Sequence, residues 1–292
     1  MMPEARLSTV GTFEDIQKST YSFLKKAGVP VYTIRFQGDY FADPKWGKGF
    51  RRGSVVEAEL DILLQPEELQ AMSAEEIGRA VEQRLYYDEF AWLETRPEIH
   101  YRNRRLAEGL ENILSLCPIC GHRHTITTKR RTVFCEHCGP LATLNDRYGF
   151  DGQFRFENFA QWYAWQKEQW RQEIEESPDF LLQTPVQLRH RDDSGRAMPR
   201  PSGEGVCTLN RQGLTYEGTV DGQEKTLHFP MAEIYRLLFG AGENFEIYMG
   251  NQIYYFVPDE KRSCVLWYLA SMILKDTAQQ KSELTTSATL KI

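Results

Sequence analysis

Apolar and polar residues alternate with a period of two over 54–64. Val56, Ala58, Leu60, Ile62 and Leu64 share one face, which predicts a half-exposed strand near a sheet edge. Between 12 and 28 the spacing is helical instead. Phe13, Ile16, Thr20, Phe23, Leu24 and Ala27 form a stripe, Thr12 with Asp15 reads as a capping box, and Gly28 closes the element. The β-branched and aromatic run 29–36 predicts a buried strand, and a helix followed by a buried strand is the rhythm of a parallel α/β sheet. Pro66 opens a helical turn. Ser73 with Glu76 forms a second capping box, for a helix to about Trp92 with Ile77, Val81, Leu85 and Trp92 inward. A short helix is predicted over 106–116. A longer one over 157–176 carries Phe159, Trp162, Tyr163, Trp170 and Ile174 as a packing stripe.

The last third of the chain is β-rich. Runs at 206–210, 214–220 and 225–230 are separated by Gln-Gly and Asp-Gly turns, and 245–249 and 253–257 flank Gly250-Asn251, a hairpin signal. A helix over 260–275 is apolar on most sides, and the polar tail from Thr277 is expected to be disordered. The loop 192–205, rich in Gly, Pro, Ser and charge, is expected to be mobile. Antiparallel strands closed by one helix resemble, in pattern, the pleckstrin-homology-like (PH-like) fold, whose modules bind lipid headgroups or peptides.

The sharpest chemistry lies between these halves. Cys117-Pro-Ile-Cys120 and Cys135-Glu-His-Cys138 are each followed by glycine, Gly121 and Gly139. Two such knuckles bring four thiolates to one tetrahedral metal, the sequence form of a zinc ribbon, with 125–128 and 132–134 as its strands. Two disulfides would need an oxidising compartment and leave the repeated Cys-x-x-Cys-Gly without a reason. A closed four-thiolate zinc is structural, because no coordination position stays open for substrate. His122, His124 and His137 are expected around the site rather than as ligands.

Composition narrows the setting. The 292 residues are 41% hydrophobic and 26% charged, ordinary for two or three globular domains. Cys207 and Cys264 belong to no pattern, which suits buried thiols in a reducing cytoplasm. No run of about eighteen apolar residues is present to span a membrane. The net charge of −6 argues against a nucleic-acid-binding chain, and the basic ribbon tip, Lys129-Arg-Arg131, lacks an array of stacking aromatics. The connector 96–105 carries Arg102, Arg104 and Arg105, which could contact phosphate, and reads first as a solvated linker. In 38–53, Lys45, Lys48, Arg51 and Arg52 interleave with Tyr40, Phe41, Trp46 and Phe50. Cations beside boundary-seeking aromatics suit a loop that meets anionic lipid or an anionic carrier, with Lys45, Trp46, Lys48, Arg51 and Arg52 as the lipid-docking set. The alternative is a solvated loop whose aromatics pack on the domain.

Pro3-Glu4-Ala5-Arg6-Leu7-Ser8, a helix, and then Val29-Pro30-Val31 resemble the third and fourth sequence blocks of the lysophosphatidic acid acyltransferase family, in a bacterial branch with a ribbon downstream. The third block there reads roughly Phe-Pro-Glu-Gly-Thr-Arg-Ser, so Ala5 departs from its glycine. The resemblance implies transfer of an acyl group from acyl-CoA or acyl-ACP to a glycerophospholipid acceptor, with Glu4 and Arg6 holding the acceptor's phosphate end. A guanidinium grips phosphate by a bidentate fork, and a carboxylate orients a hydroxyl or the arginine. The family's base is the histidine of a His-x4-Asp motif upstream of this block. None of the six histidines has Asp five residues on, and Glu233 after His228 is a coincidence of a strand pattern.

The expected organisation is therefore the C-terminal part of an α/β acyltransferase domain over 1–95, with no catalytic residue of its own, and a linker with a short helix over 96–115. The ribbon follows over 116–140, a strand-turn and aromatic helix over 141–185, the PH-like module over 186–276 and the tail over 277–292. Such a chain would be cytoplasmic and peripheral at the inner face of the membrane. The alternative is a non-catalytic zinc-ribbon adaptor with a lipid-headgroup- or protein-binding β module.

Overall fold

The computed structural model describes the backbone of all residues except 1, 2, 5, 50, 191–199, 251 and 290–292, and the side chains up to 278. Ala5, Phe50 and most of the loop expected to be mobile thus lie outside the described residues. The chain forms two compact units. One comprises Met1–Glu108, Lys129–Thr132 and Ala142–Ala160, and the other comprises Gly109–Thr128, Val133–Leu141 and Gln161–Ile292.

In the first unit the opening helix is shorter than its stripe suggests. Residues 12–17 are non-helical, with Thr12 bridged to Asp88 and the Phe13 N–H donating to Tyr87 O, and α1 (Ser19–Ala27) begins after them. Gly28 does close it, in the left-handed conformation at φ 60°. The inward residue of α1 is Tyr21, and Phe23 is exposed. After β1 (Val31–Gln37) and the short α2 (Asp39–Ala42) comes β2 (Glu57–Leu64), which pairs with β1 antiparallel, so the parallel sheet is not formed. The single long helix is also divided. α3 (Pro66–Ala71) and α4 (Ala74–Leu85) are separated at Ser73, whose capping box with Glu76 is present, and α5 (Glu89–Glu94) restarts on an Asp88 cap. Tyr86 at ψ 131° breaks the run.

β1 was expected to be buried, and its apolar residues are instead on the surface. Tyr32 opposes Ile62 and Ile34 opposes Leu60, all between 48 and 68% exposed, with Phe36 beside them. The other face carries the charges. Arg35 opposes Glu59 at 2.7 Å, Arg84 of α4 reaches Glu59 and Asp61 at 3.2 and 3.3 Å, and Arg96 holds Glu57 at 3.0 Å. These ion pairs let the polar face meet the helices, which leaves the apolar face outward.

Two cores hold this unit. Ile16, Tyr21, Leu64, Leu69, Ile77 and Val81 form one. The other is aromatic: Phe41 stacks on Tyr148 at 4.8 Å, and Phe90 and Trp46 meet Phe159 edge-on at 5.1 and 5.3 Å. Arg147 donates to Arg96 O and Ile99 O at 2.8 Å and to Leu93 O, satisfying carbonyls where α5 ends. The short helix expected over 106–116 is only a 3₁₀ turn, Leu110–Asn112.

The ribbon strands are β3 (Ile126–Lys129), β4 (Thr132–Cys135) and β5 (Gly139–Thr143), in that order in one sheet. In the second unit, α6 (Phe159–Glu176) buries the aromatic stripe, with Trp162, Trp170 and Ile174 at most 1% exposed. A curled antiparallel sheet follows. Its strands are β6 (Leu182–Arg189), β7 (Gly203–Asn210), β8 (Gly213–Val220), β9 (Gln223–Pro230), β10 (Leu238–Gly240), β11 (Asn244–Met249) and β12 (Gln252–Pro258). Their spatial order is β10-β11-β12-β6-β7-β8-β9. β6, which the sequence pattern did not mark, starts at Leu182, before the module boundary expected at 186, and Leu182 already pairs with Leu209. α7 (Cys264–Thr289) stacks Trp267 on Phe245 at 4.4 Å and runs past Thr277, where a disordered tail was expected. The start of its continuation, Ala278-Gln-Gln-Lys, consists of good helix formers.

Candidate functional site

The four ribbon cysteines converge. Their Sγ atoms all lie within 4.8 Å of one another, with Cys117–Cys138 at 3.9 Å and Cys120–Cys135 at 3.7 Å. Four sulfurs each about 2.3 Å from a central ion would be about 3.8 Å apart, so these spacings fit a tetrahedral thiolate site. They are far longer than a disulfide bond, and all six cysteines are free. Gly121 and Gly139 have φ 71° and 80° with open space at the Cβ position, so glycine serves the backbone conformation of the knuckles there. Gly121 N–H donates to Cys117 O at 3.0 Å, and Cys117 N–H to His122 O at 3.0 Å.

The electrostatics of the cluster call for a cation. Burial raises the Cys117 thiol, and the neighbouring Cys120 thiol, ahead of burial, pushes Cys138 up to about 12. Burial also works against Cys135, but the Thr125 hydroxyl and the N–H groups of Cys138 and His137 outweigh it and hold that thiol at about 6. Thr125 Oγ1 is 3.4 Å from the sulfur, as is the donating His137 nitrogen. One thiolate is thus stabilised by the protein, and the others need a positive ion to ionise beside it. His122 and His137 stack on each other at 4.1 Å.

Glu4 and Arg6 share a cleft of about 460 Å³ in the first unit. Arg6 is ion-paired with Glu14, and the Tyr87 hydroxyl donates to Glu4 Oε2 at 3.3 Å. Burial pushes the Glu4 carboxyl up to about 7, against that hydrogen bond, so Glu4 changes charge near neutrality. Lys45 and Asp39 also line the charged end, while Tyr32, Ile34 and Phe36 of β1 form an apolar wall. Glu14 and Tyr87 were not foreseen, because only the fold brings them to Glu4 and Arg6.

The loop 38–53 corrects the expected lipid-docking set. Trp46 is 2% exposed, and its Nε1 donates to Tyr40 Oη at 2.8 Å. Arg51 is fully buried, with Nε donating to Tyr148 Oη at 2.9 Å and Nη1 to Gly49 O. Neither can meet a membrane, since the aromatic core needs the indole and the guanidinium serves a buried phenol. Lys48 and Arg52 remain exposed, and Lys45 is half-buried.

Behind Asp39 lies Glu89, 1% exposed, whose Oε2 accepts the Gly38 N–H at 2.6 Å. Burial pushes its carboxyl up to about 8, the Gly38 hydrogen bond opposes this, and Asp39 adds to it. A folded value above the ordinary carboxylate range means a stability contribution present at acid pH and lost as pH rises through about 8. Glu89→Gln keeps an acceptor for Gly38 without the charge. Its melting temperature should exceed that of the parent at about pH 9 and converge with it at about pH 5.

No protein-family model, curated protein or solved structure matches the chain. Among the described residues, no helix is long and apolar enough to cross a membrane.

Proposed function

We propose that this chain carries the acceptor-binding part of a glycerophospholipid-synthesising acyltransferase, without the His-x4-Asp base. The observation that supports this reading is the amphipathic cleft. Its charged end holds Glu4, Arg6, Lys45, Asp39 and Asp43, and its wall is the exposed apolar face of β1. A lysophosphatidic-acid-like acceptor has the same division, a phosphate at one end and an acyl chain at the other. Arg6, oriented by Glu14, takes the phosphate, and Glu4 with Tyr87 faces the glycerol hydroxyls. The outward apolar face of the two-stranded sheet also suits part of a larger α/β domain, in which further elements cover it. Attack on an acyl-CoA or acyl-ACP thioester needs a base that this chain lacks.

In the same reading the four thiolates hold a structural zinc, which supplies a crosslink between the two knuckles and no open coordination position. The curled sheet with its terminal helix is a PH-like module, and Lys48, exposed in the loop 38–53, is the cation for peripheral contact with a cytoplasmic membrane face.

Lysophosphatidic acid titrated into the purified chain should quench tryptophan fluorescence saturably, and monoacylglycerol should bind much more weakly. Arg6→Ala should weaken lysophosphatidic acid roughly tenfold or more, and Arg6→Lys less, since it keeps the charge but loses the fork. Affinity should fall as pH rises through about 7, where Glu4 ionises beside the phosphate, and Glu4→Gln should remove that component. Equal binding by Arg6→Ala would overturn the acceptor assignment. Absence of any lipid binding would favour the zinc-ribbon adaptor. Acyl transfer to lysophosphatidic acid by this chain alone would refute the missing base.

A further inference from the structure

A second cleft in the first unit, about 930 Å³ in volume, is lined by four arginines, Arg52, Arg102, Arg104 and Arg131. They come from three separate stretches: the loop before β2, the connector that follows α5, and the tip of the ribbon hairpin. Backbone pairing brings them together. Arg52 N–H donates to Arg102 O at 3.3 Å and Arg102 N–H to Arg52 O at 2.7 Å, an antiparallel bridge that places both side chains on the same side. Leu144 N–H donates to Arg131 O at 2.8 Å, and Tyr101 N–H to Asp146 O at 2.7 Å, which anchor the other two walls. Gly53 has φ 81°, and a Cβ there would lie 2.5 Å from His100 O, so this part of the lining requires glycine.

The charges in the cleft do not cancel. Among the described residues none of the four guanidiniums forms an ion pair, and Arg131 Nε is buried without a hydrogen-bond partner. The carboxylates that line it are Glu98 and Asp146, and Asp146 already faces His100 Nδ1 at 3.1 Å. Clustered guanidiniums repel one another until an anion enters, and a guanidinium fork matches phosphate oxygens. Four forks exceed what one phosphate uses, and the volume is that of a pocket for a nucleotide-sized ligand.

We propose that this cleft binds a small molecule bearing two or more phosphates, with Arg52 and Arg102 as a paired clamp and Arg104 and Arg131 completing the cage. This is independent of the acyl-transfer reading, although the diphosphate end of a CoA thioester belongs to the same chemical class.

Calorimetric titration of the full chain with pyrophosphate, ADP, CoA and adenosine tests it. Pyrophosphate, ADP and CoA should compete for one saturable site, and adenosine should not bind. Binding by pyrophosphate as tight as by ADP assigns the affinity to the phosphates alone, and tighter ADP or CoA assigns a share to the organic portion. Arg102→Glu and Arg104→Glu should each weaken ADP roughly tenfold or more, because each loses charge-assisted hydrogen bonds. Lys225→Glu, the same charge change on exposed β9, should leave affinity unchanged. All three substitutions lie on the surface, so melting temperatures should stay within about 2 °C of the parent. Absence of saturable phosphate binding, or parental affinity in both arginine variants, would overturn the proposal. So would displacement of ADP by single-stranded RNA or phosphatidylglycerol vesicles at lower concentration than by pyrophosphate, which would assign the cleft to a polyanionic macromolecule.

Discussion

Serine in place of Cys135 should leave the protein without bound metal and with its second unit largely unfolded. Cys135 is the thiol most readily ionised in the cluster, because Thr125 and two backbone N–H groups stabilise its thiolate against burial. Its loss removes one of the four sulfurs that lie within 4.8 Å of one another. Structural zinc binding contributes about 10–16 kcal/mol in small zinc-dependent folds, as much as or more than the whole stability of a typical domain at about 5–15 kcal/mol. Elemental analysis of protein purified without added metal should find about one zinc per chain in the parent and much less in Cys135→Ser. Chelation of the parent should lower its melting temperature toward that of the variant. Cys207→Ala is the control: Cys207 is buried in β7, and its loss should leave the zinc content intact. Equal zinc in Cys135→Ser and the parent would exclude the four-thiolate site.

Trp162→Ala should destabilise the second unit by about 3–5 kcal/mol, the usual cost of truncating a fully buried tryptophan. For a unit of this size that is a fall of roughly 10 °C in melting temperature. The side chain does more than fill space. Its Nε1 donates to Leu116 O at 3.0 Å, the carbonyl just before Cys117. One turn further along α6, Gln166 accepts the Ser115 N–H at 2.9 Å and donates to Ile113 O at 2.6 Å. The helix therefore clamps the segment that leads into the first knuckle, with Ile113, Ser115, Trp162 and Gln166 all buried. Trp162→Phe should recover most of the packing but not the hydrogen bond. Zinc release to a chelator should be faster in Trp162→Ala than in Trp162→Phe, and faster in both than in the parent. Identical release rates in the three proteins would mean that α6 packs without supporting the metal centre.

Local rules carried much of the fold into view. The Ser73–Glu76 capping box, the αL glycine after α1, the aromatic stripe of α6 and the paired hairpins of the curled sheet all depend on residues close in sequence. The misreadings share one cause, which is competition from partners distant in sequence. Residues 12–17 have helical spacing but are non-helical, with Thr12 and Phe13 pairing with the segment at 87–88. Arg51 and Trp46 look like a lipid-facing pair, and the remote Tyr148 and Phe159 draw them into a core.

By itself the sequence picked out the four cysteines that come together and could hold a metal ion, because two pairs at knuckle spacing with two glycines leave little conformational choice. It also determined α6, the buried part of α7 and the strands β7, β8, β9, β11 and β12 of the second unit, where period and turn chemistry agree, but it marked neither β6 nor β10. Only the tertiary structure decided which face of the β1–β2 sheet is outward. The alternation is the same either way, and the ion pairs from Arg84 and Arg96 select the polar face for the helices. The tertiary structure also joined Glu4 to Tyr87, Arg6 to Glu14, and Arg52 to Arg102. Each of these contacts depends on how separate elements pack, and no local pattern of residues encodes that.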